Sequence, residues 1–313
     1  MTVQTVPLLV TLPATAPIED IIAVLRRDGT IVLSDFATDE EIEALNAKAK
    51  VHFDRTESEG REHDNYNKNK NFRPKGTTGA YGLFSAAPEE LSKLLQRKVW
   101  GQVMDEFLTH TTWDWLGDEK VTRTSSYYLY TSVGYKVSPG SRLQALHRDL
   151  NSCGVQRTGP ETPPNGVSTF IAGCDTTERN GATRVCPGSH LWPQDRHPTQ
   201  ADTAPIVMKK GSLGIFLSNC FHGAGANTCE PNDPDALRII YGIFCCRDNF
   251  RQQDNTALYF EPEVLKKMTP KTLRLLGYYK GRTGGGGYLG RDPVDQWEPL
   301  QGYTGGEWFP NEE

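Results

Sequence analysis

No run of this 313-residue sequence reaches the ~18 consecutive apolar residues that a helix needs to span a bilayer, so no transmembrane anchor is expected. The opening stretch MTVQTVPLLVTLPATAP lacks a positively charged start and an uninterrupted apolar core, and it does not read as a secretory signal. Basic residues are not in excess: 34 Lys and Arg stand against 39 Asp and Glu, a net charge of −5. That balance leaves no polybasic footprint for nucleic acid or for an anionic membrane, and it directs expectation to a small-molecule partner. The seven cysteines, at 153, 174, 186, 220, 229, 245 and 246, are odd in number and contain no CxxC pair. Neither a disulfide framework nor a structural zinc site is implied, and a reducing, cytoplasmic setting is the expectation. No internal repeat is visible.

What the sequence does hold is punctuation. Thirty Gly and 20 Pro point to many turns and favour a β-rich architecture. PIEDIIAVLRR (17–27) predicts a helix with Pro in its first turn and Gly29 as the stop. TIVLSDF (30–36) predicts a strand, and Thr38 with Glu41 forms the capping-box pattern for a helix over roughly 39–53. The polar stretch 54–78 reads as a loop. Over 88–108, Leu91, Leu94, Leu95, Val99, Val103 and Phe107 recur at helical spacing and predict one long helix, with His110 at its end. From about 121 the pattern turns to short apolar and aromatic runs: SSYYLYTSVGYKV, VSTFIAG, SLGIFLS and LRIIYGIFCC, each bounded by Gly, Pro, Asn or Asp. Helices followed by such strands predict a mainly β protein with flanking helices, built on a double-sheet jelly roll. A single domain over 1–313 is expected, with a helical part at about 15–110, the jelly roll at about 120–260, and a C-terminal helix and Gly-rich flap at about 261–313.

The chemistry concentrates at His147-Arg148-Asp149. In an extended segment residues two apart point to one side, so an imidazole and a carboxylate would converge. A third ligand must come from far along the chain, and His222, after the apolar run SLGIFLSNCF and before GAGAN, stands where a strand would end. Two neutral imidazoles and one carboxylate on one face of an octahedral ion leave three positions open, the arrangement of non-haem iron(II) oxygenases. Zinc, four-coordinate, has no place for a bidentate co-substrate plus oxygen. The tripeptide alone fits equally well a surface His paired with a neighbouring carboxylate. Of the other histidines, His52 and His63 read as solvated, His110 as a helix-end cation, and His190 and His197 as flanks of a Pro-rich loop.

Three stretches, QALHRDL (144–150), RNGATRVCPGSHLWP (179–193) and GSLGIFLSNCFHGAGAN (211–227), together with DGTIVLSDF near the N-terminus, resemble the phytanoyl-CoA dioxygenase family, in particular its fungal branch acting on terpenoid and alkaloid secondary metabolites. The resemblance runs from about residue 15 to about 260. It implies a double-stranded β-helix core with an iron(II) site at His147, Asp149 and His222, and contacts from Gln144 and Thr183 to the co-substrate 2-oxoglutarate. It also calls for an Arg after the second His, to meet the far carboxylate with a planar fork. Arg238 is the candidate, although GAGANTCEPNDPDAL makes the gap longer than the family's. The bland alternative for Arg238 is a strand-edge pairing with Asp233 or Asp235.

The implied activity is dioxygenation: O2 and 2-oxoglutarate are consumed at iron(II), with ascorbate helpful in vitro, and an unactivated C–H bond of a hydrophobic metabolite is hydroxylated, desaturated or rearranged. The carboxylate at 149 occupies the position that iron halogenases leave to chloride, which disfavours halogenation. Candidates for the substrate pocket are Phe72, Tyr81, Tyr128, Tyr130 and Tyr288, with ordinary sheet packing as the competing explanation for the tyrosines of 127–130. A homodimer is implied by the fungal relatives. Two other readings stay open at this point: a hydroxylase of primary metabolism acting on an acyl-CoA or amino acid, and a jelly-roll metal protein or isomerase that uses no oxygen.

Overall fold

GVSTFIA and LGIFL are apolar or small at nearly every position, a pattern expected of strands covered on both faces, and both are buried throughout. The computed structural model describes residues 9–59, 74–149, 163–258 and 260–279. In chain order the elements are β1 (Thr11–Pro13), α1 (Ile18–Asp28), β2 (Thr30–Ser34), α2 (Asp39–Ser58), β3 (Thr77–Tyr81), α3 (Leu83–Ala86), α4 (Pro88–Leu95), α5 (Lys98–Leu108), β4 (Thr111–Leu116), β5 (Glu119–Thr124), β6 (Tyr127–Val137) and β7 (Gly166–Ala172). They continue with β8 (Arg184–Val185), β9 (Ala204–Pro205), β10 (Leu213–Leu217), β11 (His222–Gly223), β12 (Arg238–Arg247), α6 (Pro262–Leu265) and α7 (Pro270–Leu275).

A seven-stranded sheet runs β1-β2-β10-β7-β12-β6-β3, with only β1–β2 parallel. A smaller sheet, β11-β8-β9, is extended by isolated bridges at His147–His222, Thr176–Met208 and Asn180–Asn227. The two together form the expected double-stranded β-helix with flanking helices. One cavity takes its walls from both sheets, so the face between them is the inner one. Register makes the alternation explicit: Tyr135 pairs with Gly79 and Ile240, Phe170 with Gly242, and Ser168 with Phe244. The other face of the large sheet is covered by α1, α2 and α5, through residues such as Ile21, Leu25, Ile42, Leu45, Trp100 and Val103. There Tyr241 donates its hydroxyl to Asn46 at 2.5 Å, and the Asn46 amide donates to Gly173 O at 3.0 Å.

α1 starts after Pro17 and stops at Gly29, whose φ of 70° is the left-handed conformation glycine tolerates. The Thr38–Glu41 capping box forms. α2 nevertheless continues through Ser58, five residues past the expected end, and β3 begins at Thr77, so the expected loop 54–78 is corrected at both ends. The reason is that Asp54, Arg55 and Ser58 lie on a solvated helix face while Phe53 and Thr56 stay buried. The single helix expected over 88–108 is two helices. At the break, Gln96 donates to the hydroxyls of Thr269 and Thr272 at 3.2 Å, and Arg97, in extended conformation, pairs with Glu41 at 2.5 Å. Those tertiary partners outweigh the helical pattern. The ribbon β4–β5, which the strand pattern did not anticipate, is exposed along all of β4. Among the described residues no helix is long and apolar enough to cross a membrane.

Beneath the cavity, three backbone segments cross almost in contact. A Cβ on Gly225 would lie 2.5 Å from Ala182 O, and one on Gly181, whose φ is 86°, 2.8 Å from Gly225 O. Both atoms met are backbone and have nowhere to move. Gly225→Ala is therefore expected to lower stability by about 2 kcal/mol or more, the range of overpacking and backbone strain. The denaturant midpoint of the purified variant checks this, and a midpoint within 0.5 kcal/mol-equivalent of the parent, roughly the surface-substitution range, would contradict it.

Candidate metal centre

Residues 143–149 join no strand ladder beyond one bridge, at His147. At that bridge His147 N–H donates to His222 O and His222 N–H to His147 O, both at 2.9 Å. Asp149 N–H donates to Ser218 O, also at 2.9 Å. A reciprocal backbone pair holds two residues directly opposite each other, so two side chains 75 positions apart in the chain emerge side by side. Their rings lie 4.4 Å apart, centroid to centroid. Asp149, two residues on, points to the same side: Oδ1 is 3.7 Å from His147 Nε2 and Oδ2 is 3.5 Å from His222 Nε2.

These three side chains can each present one donor atom, all within 4.8 Å of one another. Donors at adjacent corners of an octahedron with bonds of ~2.1 Å sit roughly 3 Å apart, so small side-chain adjustments suffice. Each histidine directs its other nitrogen to a carbonyl: His147 Nδ1 to Ala145 O at 2.9 Å and His222 Nδ1 to Cys220 O at 3.2 Å. Donation from Nδ1 fixes the tautomer that leaves the Nε2 lone pair for a metal. His222 is 4 % exposed and lies against the Phe216 ring, centroids 4.5 Å apart. Burial, assisted by His147 and opposed by Asp149, pushes its pKa down to about 4, so the ring is neutral near pH 7, as a ligand must be.

Arg148 turns away from this cluster. Its guanidinium lies 4.0 Å from the Phe221 ring centroid and donates to Ser189 O at 2.8 Å. Ser189 Oγ in turn accepts from Phe221 N–H at 2.8 Å, and Cys186 N–H donates to Phe221 O at 2.8 Å. The CPGSHLWP stretch is thus a brace behind the two ligand-bearing segments. His190, buried within it, sets Nε2 3.0 Å from Arg26 O on α1. His52 is a correction: expected in solvent, it is buried with Nε2 2.6 Å from Tyr81 O. His110 and His197 are exposed, and His63 lies outside the described residues.

The cavity beside the cluster encloses about 740 Å³ including its mouth, within the range of small-molecule sites. Gln144, Thr183 and Arg238 line it together with His147, Asp149 and His222. Arg238 opens β12, is 2 % exposed, and donates to Gly181 O and, at 3.4 Å, to Thr183 Oγ1. No carboxylate among the described residues pairs with it. Of the two partners weighed for it from sequence, Asp233 instead binds Arg179 at 2.6 Å, and Asp235 makes no ion pair with Arg238. The long gap from His222 is absorbed by a loop whose ends are tied: the Asn227 amide donates to Val137 O at 3.1 Å and to Ala236 O at 2.7 Å. Burial lowers the Arg238 pKa to about 10, which still leaves it charged near neutrality. A buried cation with no counter-charge is expensive, and a dicarboxylate reaching into the cavity would supply one. Gln144 accepts from Ala224 N–H at 3.0 Å, which orients its amide.

Of the residues named for the substrate, Tyr81 lines the cavity, Tyr128 and Tyr130 do not, and Phe72, Tyr288 and the Gly-rich flap lie outside the described residues. Tyr130 falls at a bulge in β6, between Thr131, which pairs with Phe244, and Leu129, which pairs with Cys245, whereas Tyr135 lines the cavity with Phe170, Ile240 and Phe244. Sequence could have found the last two: once Arg238 faces inward, Ile240 and Phe244 follow by strand alternation.

The phytanoyl-CoA dioxygenase (PhyH) family model matches residues 25–230. The dioxygenase swnH1 of Arthroderma benhamiae is 32% identical over 293 residues, covering 92% of this chain and 91% of its own. The dioxygenase himG of Aspergillus japonicus is 27% identical over 279 residues, covering 84% of this chain and 82% of its own. Among solved structures, the non-haem α-ketoglutarate-dependent carbocyclase SnoK from nogalamycin biosynthesis shares the fold, with a TM-score of 0.55, 15% identity, and coverage of 80% of this chain and 93% of its own.

Replacing Arg238 separates stability from binding. Arg238→Met removes an uncompensated buried charge while keeping most of the side-chain volume, so the metal-free variant is expected to melt no lower than the parent. Its affinity for 2-oxoglutarate should fall by about 100-fold or more, as for loss of a charged hydrogen-bonding partner. Thermal melting and calorimetric titration of the metal-loaded protein check the two halves.

Proposed function

The chain belongs to the phytanoyl-CoA dioxygenase family, and from that premise we propose that His147, Asp149 and His222 hold iron(II) while Arg238, Thr183 and Gln144 receive 2-oxoglutarate. It is a non-haem iron(II)- and 2-oxoglutarate-dependent dioxygenase. The observation that carries the residue assignment is the pairing, in one cavity, of a two-histidine, one-carboxylate cluster with a buried arginine that has no acidic partner among the described residues. When bound, the metal together with 2-oxoglutarate and O2 supplies the oxidant for an unactivated C–H bond and releases succinate and carbon dioxide.

The chain's own residues do the rest. The carbonyls of Ala145 and Cys220 hold both imidazoles in the ligating tautomer. The Arg238 fork grips the far carboxylate of the co-substrate, and Thr183 and Gln144 set its tilt. Phe170, Phe244, Ile240 and Tyr135 cover the inner wall, exclude water and hold the target carbon of the substrate in place. Such a lining suits a hydrophobic secondary metabolite of the terpenoid, meroterpenoid or alkaloid kind. An acyl-CoA would ask for a cluster of bases for its phosphates, whereas among the described residues Arg238 is the one Lys or Arg lining this cavity.

We further infer that the chain works as a homodimer in the cytoplasm. Trp113 and Trp115 on β4, 58% and 59% exposed, offer an apolar face to a second copy, because an isolated two-stranded ribbon is only marginally stable without cover.

Purified protein given iron(II), ascorbate, O2 and 2-oxoglutarate is expected to form succinate, slowly alone and faster with the right substrate. His222→Ala should lose metal affinity by more than about 100-fold, exceeding the effect of losing an outer partner, and should form no succinate. A parent protein that purifies with zinc and yields no succinate with any hydrophobic candidate would reject the assignment.

A further inference from the structure

β7 is buried at every position, and a hydroxyl in such a strand costs stability unless it is hydrogen-bonded. Thr169, facing away from the cavity, meets this demand by donating to Ile243 O at 2.9 Å. Ser168, on the cavity side and 1 % exposed, donates to Asp149 Oδ2 at 3.1 Å. Its backbone is fixed in the middle of the large sheet, between Phe216 of β10 and Phe244 of β12. The hydroxyl is therefore a rigid reference point, whereas Asp149 belongs to no strand and is tied through its backbone N–H to Ser218 O at 2.9 Å.

The two carboxylate oxygens of Asp149 are thus unequal. Oδ2 accepts from Ser168 and lies 3.5 Å from His222 Nε2, whereas Oδ1 lies 3.7 Å from His147 Nε2. A carboxylate can bind a divalent ion through one oxygen or through both. With one oxygen used, three protein donors leave three octahedral positions, as many as a chelating co-substrate and O2 require. With both used, only two remain.

We propose that Ser168 is a positioning residue that restricts Asp149 to one metal-binding oxygen and so keeps a coordination position open for 2-oxoglutarate. This rests on the iron-site reading above and adds to it a residue outside the ligand set. The side chain touches neither metal nor co-substrate; it acts through Asp149.

Ser168→Ala and Ser168→Thr, loaded anaerobically with iron(II), are to be compared with the parent protein. Titration with 2-oxoglutarate, followed by the visible charge-transfer absorption of the iron(II) chelate, gives its affinity; competition with a metal indicator gives the iron(II) affinity. Ser168→Ala is expected to bind 2-oxoglutarate at least about tenfold more weakly, in the range for lost outer partners of a metal site. Its iron(II) affinity should be unchanged or higher, and its metal-free melting temperature close to parental. Ser168→Thr, which keeps the hydroxyl, should bind 2-oxoglutarate more tightly than the Ala variant. Parental 2-oxoglutarate affinity in Ser168→Ala would overturn the proposal, and so would iron(II) and 2-oxoglutarate affinities falling together, which would mean that Ser168 merely steadies Asp149. A parent protein that gives no such absorption would overturn the co-substrate reading itself, an outcome distinct from either.

Discussion

Two backbone hydrogen bonds, exchanged between His147 and His222 at 2.9 Å each, bring together everything of chemical interest in this protein. Neither residue belongs to a long strand, so the pair has little cooperative support of its own. The surrounding structure supplies it: Arg148 stacks on Phe221 directly behind the pair, Ser189 bonds both segments, and the glycines at 181, 223 and 225 let three backbones lie against one another. Side chains could not fill that crossing without pushing the two histidines apart.

The cavity built on this crossing holds both Asp149 and Arg238 in its lining, beside the aromatic and aliphatic side chains of Tyr135, Phe170, Ile240 and Phe244. Interactions between charges strengthen as water is excluded, and the Phe170 ring, in edge contact with Tyr135, Phe216 and Phe244, makes that exclusion firm. Gly242 has its own part here: a Cβ there would fall 2.7 Å from the Phe244 ring and 3.1 Å from the Phe170 ring. Its missing side chain is what lets two large rings share one strand register.

Much of this was legible in the sequence, for identifiable reasons. His147 and Asp149 announce themselves because two metal-binding types at a spacing of two can face one way only in extended chain. His222 could be named from its place after an apolar run, but spacing alone could not join it to the pair, since the bridge is a long-range pairing; the resemblance to a family carried that step. Arg238 stood in doubt because the preceding stretch is long; in the structure Asn227 ties the ends of the extra loop together and Arg238 lines the cavity. Local composition misled at α2, where a solvated helical face reads like a loop, and at residues 96–97, where distant partners break a helix that periodicity would continue. Tyr128 and Tyr130 do not line the cavity although Tyr135 does: an aromatic cluster advertises burial without saying where, and a bulge at Tyr130 interrupts the strand alternation that would have told.

Arg238 has one more consequence. No acid in the described chain neutralises it, and a dicarboxylate bound there, as proposed above, would offset the cost of burying its charge. Anything that binds the native state alone raises its stability, by about 2.7 kcal/mol at a hundredfold excess over the dissociation constant. Under the assignment proposed above, the folded chain with the co-substrate at Arg238 would withstand heat and denaturant better than the folded chain without it.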